Sequence, residues 1–142
     1  MNPVASRPDF TGVWELNLEM SRMLGSVPRA MLVRIDHQDP LLVQYVLVNG
    51  GDGVERRQTF RCEAGAETTN LISGLDCRTR ARWEGLELLI ESWMKTPARD
   101  LHFVDYWSLS PDGSRLTMEH RDDDLAGQVA VLGRAPRARF PG

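Results

Sequence analysis

Apolar residues in this sequence alternate with polar ones over short runs, and a turn signal separates each run from the next. The clearest run covers residues 76–84, where Cys77, Thr79, Ala81 and Trp83 alternate with charged side chains. Alternation with a period of two is typical of a β-strand with one buried face, whereas an amphipathic helix repeats about every 3.6 residues. The pattern therefore predicts an all-β chain.

Ten such runs are spaced along the chain. We expect strands at about 10–18, 30–37, 41–49, 54–62, 68–73, 76–84, 86–95, 100–110, 114–121 and 128–134. The connections are short and rich in Gly, Pro and Asp, so neighbouring strands should be antiparallel. A run of about eight to ten antiparallel strands protects its edges by closing into an up-and-down barrel or by packing as a sandwich.

The length of 142 residues predicts one domain spanning 1–142. We expect the barrel to occupy about 10–134 and residues 135–142 to form a loose tail. Residues 19–24 are the one segment that could form a helical turn. The longest apolar stretches fall far short of the roughly 18 residues that a membrane-spanning helix needs, so we expect no membrane span. Residues 1–9 hold no apolar core of a signal peptide.

Composition excludes several classes of function. A net charge of −3 argues against nucleic acid as a partner, since such proteins need a basic excess. Cys62 and Cys77 lack the spacing of a metal site, and we expect free buried thiols. The acidic run 120–124 lacks the spacing of a calcium loop, so we expect a solvated turn and no metal. The sequence has no phosphate loop, dinucleotide fingerprint or serine elbow, and we expect no cofactor.

Gly12 and Trp14 lie in the first predicted strand, and Arg134 ends the last one. This arrangement resembles the Gly-x-Trp opening of the lipocalins and of the wider calycin barrels, which include the fatty-acid-binding proteins. The resemblance implies a barrel in which Trp14 is a structural floor and Arg134 stacks across its ring. A guanidinium on an indole face stabilises by about 0.5–2 kcal/mol. The chain has no sign of a two-helix lid between its first two strands.

Two polar residues interrupt otherwise apolar inward faces. Asp105 lies between Phe103 and Trp107 on one strand, and His120 follows Met118 on the next. An even-numbered loop around 110–113 puts both polar side chains on the inner wall. A two-residue loop would set them directly opposite, and we expect a four-residue loop to make them diagonal neighbours. In both cases the sequence predicts an Asp–His contact inside an apolar cavity.

The predicted Asp105–His120 pair has three interpretations. It could be a general base in which the carboxylate orients the imidazole, with Ser92 or Tyr106 assisting. It could anchor the polar end of a ligand, or it could satisfy only its own hydrogen bonds. We favour binding of a small, largely apolar molecule in the barrel cavity. The alternative is a small cofactor-free enzyme, a hydrolase or isomerase, that uses the same pair as its catalytic residues.

The remaining candidates are residues that the strand alternation turns inward. They would line the cavity and contact a small-molecule ligand or substrate. The candidate ligand-binding residues are Trp107, Phe103, Met118, Trp83, Leu88, Ile90, Ser92, Arg56 and His37.

Overall fold

The computed structural model describes residues 7–122 and 127–141, and its strands closely match the predicted ones. The ten strands are β1 (Gly12–Leu16), β2 (Ala30–Gln38), β3 (Leu41–Asn49), β4 (Glu55–Glu63), β5 (Glu67–Ile72), β6 (Leu75–Glu84), β7 (Glu87–Lys95), β8 (Asp100–Leu109), β9 (Arg115–Asp122) and β10 (Gln128–Ala135). A short 3-10 helix follows at Arg137–Arg139. The prediction of an all-β fold is confirmed.

The strands form a single antiparallel sheet that wraps into a nearly closed up-and-down barrel. Every strand pairs with its neighbours in sequence except at the β4–β5 junction, and β1 also pairs with β10. The hydrogen-bonded order is β4-β3-β2-β1-β10-β9-β8-β7-β6-β5, which leaves β4 and β5 as the two edges. The barrel prediction is therefore confirmed, and the β-sandwich alternative is wrong.

Side chains bridge the seam between β4 and β5, where the ladder is missing. The Asn70 amide accepts a hydrogen bond from Arg61 N at 2.7 Å and donates one to Arg61 O at 2.8 Å. The Gln58 amide donates to Leu71 O at 2.9 Å. Buried backbone groups must find partners, so these amides act in place of the absent strand pairing.

The two ends of the barrel differ. The closed end carries the β2–β3, β6–β7 and β8–β9 turns and the floor residues Phe10 and Trp14, which are fully buried. The open end carries the 17–29 connection and the turns after β3, β5 and β7. Near the open end, Phe103 of β8 is only partly buried, whereas Cys77 of β6 and Met94 of β7 are buried. The packed interior therefore fills the closed end and extends along β6 and β7 toward the open end.

One local expectation differs from the structure. Residues 19–24 form no α-helix; a turn there is held by Asn17, whose side-chain oxygen accepts from Met20 N. The described part of the tail contains the short 3-10 helix, and the Arg139 guanidinium lies 3.0 Å from the Glu15 carboxylate. No helix among the described residues has the length and apolar character to cross a bilayer.

The β8–β9 loop has four residues, 111–114, between the hydrogen-bonded Ser110 and Arg115. The expectation that such a loop makes Asp105 and His120 diagonal is wrong, since the register sets them directly opposite. The four-residue loop at 111–114 and a two-residue loop at 112–113 have the same midpoint in the sequence. Both loops therefore give the same pairing between β8 and β9. Asp112 shapes the turn: hydrogen bonds from Ser110 and Ser114 lower the pKa of its carboxyl to about 2.

Candidate functional site

The floor of the barrel is built from an indole and a guanidinium. Trp14 is fully buried and donates from Nε1 to Phe10 O at 3.0 Å. The Arg134 guanidinium carbon lies 4.2 Å from the centre of the Trp14 ring. Its Nη1 donates to Thr11 O and its Nε to Gly113 O, both at 3.0 Å. The arginine thus ties the first and last strands and the β8–β9 turn to the floor.

Gly12 makes this stacking possible. Its φ is +145°, a conformation that L side chains rarely adopt. A Cβ at this position would lie only 2.7 Å from Arg134 Nη1. Any larger residue would have to displace the guanidinium from the Trp14 ring, which gives a physical reason for Gly two residues before Trp.

Two of the candidate ligand residues belong to the closed end. The His37 ring lies against Phe10 and Trp83, with ring centres 5.5 and 6.0 Å away, and its Nδ1 accepts from Phe10 N. The Trp83 indole donates to Asp39 at 2.9 Å, beside the β2–β3 turn. His37 and Trp83 therefore pack with the floor, at the opposite end of the barrel from the open mouth.

Asp105 and His120 meet on the inner wall as the sequence indicates. His120 Nδ1 donates to Asp105 Oδ1 at 2.8 Å, and the Phe103 ring lies 5.2 Å from the imidazole. The side chains are 24% and 32% exposed, so both are partly buried yet reached by solvent. The hydrogen bond to Asp105 raises the pKa of His120; burial opposes this shift, and the charges of Asp105 and Asp122 reinforce it.

The apolar candidates differ in how far they are buried. Leu88, Ile90 and Trp107 are almost completely buried and belong to the packed core. Phe103 and Met118 are only partly buried, on the strands that carry the Asp–His pair. Phe103 lies nearer the open end than the Asp105–His120 pair, and Met118 lies on the other side of that pair, directly opposite Trp107.

The polar candidates are mostly engaged elsewhere. The fully buried Ser92 hydroxyl lies 3.3 Å from that of Thr79. Tyr106 is on the outer wall, beneath the Arg121 guanidinium, because its position in β8 alternates with that of Asp105. Arg56 has an inward register position at the rim, yet its side chain is 60% exposed and pairs with Asp52 at 2.9 Å.

Both cysteines are buried and free. Burial raises the pKa of the Cys62 thiol to about 12, which keeps it protonated and unreactive. Asp123 and Asp124 of the acidic run lie outside the described residues.

The sequence reasoning missed a cluster on the outer wall of β7 and β8. Trp93 stacks on His102 with ring centres 5.6 Å apart, and Arg78 covers the same indole. Glu91 lies 2.6 Å from His102 Nε2. Two grooves of about 640 and 700 Å³ share Trp93; the first lies along this wall, and the second extends to Met94 and Leu101 at the open end. Apolar residues at outward positions, such as Leu89, are the sequence signal from which this cluster could have been predicted.

No family model matches the sequence, and no curated protein matches it. Solved structures do resemble the chain. A Schistosoma mansoni fatty acid binding protein in complex with arachidonic acid is 11% identical, with a TM-score of 0.56 over 89% of this chain and 96% of that one. Caenorhabditis elegans lipid binding protein 8 is 7% identical, with a TM-score of 0.62 over 89% and 95%.

A secretory abundant heat soluble protein from Ramazzottius varieornatus has the same architecture. It is 12% identical, with a TM-score of 0.64 over 88% of this chain and 94% of that one. At such identities the likeness concerns the fold. The chain therefore has the calycin-like barrel fold that includes fatty-acid-binding proteins, as the Gly-x-Trp resemblance implied.

Proposed function

We propose that this protein binds a small, largely apolar molecule in the open half of its barrel. The polar end of that molecule would contact the Asp105–His120 pair, and its apolar part would lie against Phe103 and Met118. The observation that carries this proposal is a hydrogen-bonded polar pair that is partly exposed on the inner wall, between the apolar side chains of Phe103 and Met118. Ligand pockets typically combine apolar walls with a few such polar groups.

The structural neighbours support binding over catalysis. One neighbour holds arachidonic acid, and another is described as a lipid binding protein. The enzyme alternative needs a further group to assist the imidazole. The two hydroxyls expected for that role point elsewhere, since Ser92 contacts Thr79 and Tyr106 lies on the outer wall. The pair is therefore proposed as a ligand anchor rather than as a catalytic base.

The outer groove is the rival location for a ligand. Its aromatic surfaces are already covered, because Arg78 lies over Trp93 and Arg121 lies over Tyr106. On the inner wall, the Phe103 ring instead lies beside the imidazole of His120, with ring centres 5.2 Å apart. We therefore assign binding to the lumen.

Uptake of Nile red, a neutral apolar dye, tests this assignment. It would be measured in two variants that change adjacent residues of one strand. Phe103→Gln changes the inner wall, and Val104→Gln makes the same kind of change on the outer wall of the same strand. We expect Phe103→Gln to weaken uptake by roughly tenfold or more, and Val104→Gln to leave it within about twofold. Circular dichroism would confirm that both variants stay folded.

The opposite pattern would place the dye in the outer groove and contradict the lumen assignment. Absence of uptake by the unmodified protein would contradict the proposed function itself.

A further inference from the structure

A small cleft at the closed end of the barrel collects three guanidinium groups. It has a volume of about 170 Å³ and lies where β2, β1 and β10 are side by side. Arg34 of β2, Arg134 of β10 and Arg137 of the 3-10 helix line it, together with the carboxylate of Asp36. The other lining residues are uncharged, so three positive charges face one negative charge.

Gly12 allows Arg134 to reach this cleft. A Cβ at position 12 would lie 2.7 Å from Arg134 Nη1, so any side chain there would occupy the space of the guanidinium. Gly12 and Arg134 line the cleft together, and the guanidinium that stacks on Trp14 is therefore also reached from outside. Its printed hydrogen bonds use two N–H groups, to Thr11 O and Gly113 O. A guanidinium has five N–H donors, which leaves some for a ligand.

The other two arginines approach the cleft from the outer surface. Arg34 lies over the Tyr45 ring, 5.1 Å from its centre, and its Nη2 donates to Asp36 at 3.1 Å. These contacts hold the guanidinium of Arg34 in place. Arg137 is exposed, and among the described residues no carboxylate forms an ion pair with it, unlike Arg139 two positions later. The charge of Arg137 is therefore available to a ligand.

Asp9 is a second carboxylate close to Arg134. Burial acts to raise the pKa of the Asp9 carboxyl, but hydrogen bonds from Thr11 and the charges of His37 and Arg134 outweigh it and lower that pKa. Its Oδ1 accepts from Thr11 N at 2.9 Å, and the residue does not line the cleft. Asp9 thus offsets part of the charge of Arg134, and the cleft keeps an excess of positive charge.

We propose that this cleft binds a phosphate group, either as the free ion or as the end of a phosphate ester. A phosphate monoester has three terminal oxygens and a charge of about −1.5 to −2 near neutral pH, so each of the three guanidinium groups can contact an oxygen. The planar fork of arginine matches the geometry of phosphate. A carboxylate has two oxygens and one charge, so it would engage fewer of these groups. This site is separate from the lumen and does not rest on the proposed function.

Titration with inorganic phosphate tests whether the site exists and where it lies. The backbone amide signals of the unmodified protein would be followed by nuclear magnetic resonance at constant ionic strength, with chloride as the balancing anion. We expect the amides of Val13 and Arg137 to shift with a Kd of roughly 1 mM, and acetate to bind at least about tenfold more weakly. Unchanged signals at these amides up to roughly 20 mM phosphate, or equal binding of acetate, would overturn the inference.

Three folded variants, checked by circular dichroism, test the charges of the cleft. Arg137→Gln removes one of its cations, and Arg139→Gln removes a cation of the same 3-10 helix that does not line it. We expect the first change to weaken phosphate binding by roughly tenfold, and the second by less than about twofold. Asp36→Asn should tighten binding by roughly threefold, because it removes the carboxylate of the cleft. An equal effect of both arginine variants would mean that net charge alone attracts phosphate, and would overturn the inference.

Two further probes identify the source of the phosphate group. Binding of glycerol 3-phosphate more tightly than inorganic phosphate would support the site and indicate a soluble ester. Association with phosphatidylcholine vesicles that contain phosphatidic acid, weakened by Arg137→Gln, would support it and indicate a lipid head group. Displacement of Nile red by inorganic phosphate would place the anion in the lumen and overturn the separate site.

Discussion

The closed and open ends of the barrel use the same kinds of residue in different ways. At the closed end, Trp14 and Phe10 are fully buried, and the polar His37 is 7% exposed with its Nδ1 bonded to the backbone. At the open end, Phe103 is partly buried, and Asp105 and His120 are bonded to each other but reached by solvent.

This difference separates stability from binding. A polar group buried among fixed partners contributes to one packed arrangement, and a ligand could reach it only if the packing opened. A polar pair at the surface of a cavity keeps part of its hydrogen-bonding capacity for another molecule. Large losses of stability are thus expected from changes at the closed end, and changes in ligand affinity are expected from the open end.

Removal of the floor gives the largest expected effect. Trp14→Ala should lower the free energy of unfolding by about 3–5 kcal/mol, because it leaves a cavity where a large aromatic ring was fully buried. Phe103→Ala is the matched change at the open end, and we expect a loss of about 1–2 kcal/mol from its partly buried ring. Urea unfolding measures both. Equal losses would remove the distinction between the two ends.

Removing a side chain that bridges the seam between β4 and β5 should have an intermediate effect on stability. Asn70→Ala leaves the backbone N–H and C=O of Arg61 without the partners shown here, and we expect a loss of about 1–3 kcal/mol. Thr69→Ala, on the outward side of the same strand, should change stability by less than about 0.5 kcal/mol. Hydrogen exchange should also become faster at the Arg61 amide. An unchanged exchange rate would show that the Asn70 amide does not hold the seam closed.

Much of the fold could be predicted from the sequence because strand alternation is a local signal. The alternation of Cys77, Thr79, Ala81 and Trp83 assigns their face without knowledge of any other strand. The contact between Asp105 and His120 was also predictable, since a short hairpin loop alone decides their register. Local information was sufficient in both cases.

Position along the barrel axis could not be predicted in the same way. Alternation places His37 and Trp83 inward but does not say that both lie at the closed end, which depends on how distant strands pair. The ion pair of Arg139 with Glu15 also joins residues far apart in sequence. The outer cluster around Trp93 could not be predicted in this way either. Strand alternation shows which residues face outward, but it does not show which outward residues of different strands lie side by side.

The pH dependence of stability gives the smallest expected effect and isolates the open-end pair. The hydrogen bond from His120 to Asp105 raises the pKa of this histidine in the folded protein above its unfolded value of about 6.5. The pair therefore contributes its full stability below about pH 6.5. That contribution is lost as the pH rises through the higher folded pKa. Because the pair is partly exposed, we expect less than about 1 kcal/mol.

Comparison of the unmodified protein with His120→Gln across this pH range measures the contribution. The stability difference between them should be larger at low pH and should decline as the pH rises, whereas Glu119→Gln should show no such trend. A nuclear magnetic resonance titration of the His120 ring reports the folded pKa directly. Binding of a ligand whose polar end contacts the Asp105–His120 pair should then alter that titration, because the ligand changes the surroundings of the imidazole. A His120 titration at or below the unfolded value would contradict the ionic pairing on which the open-end site depends.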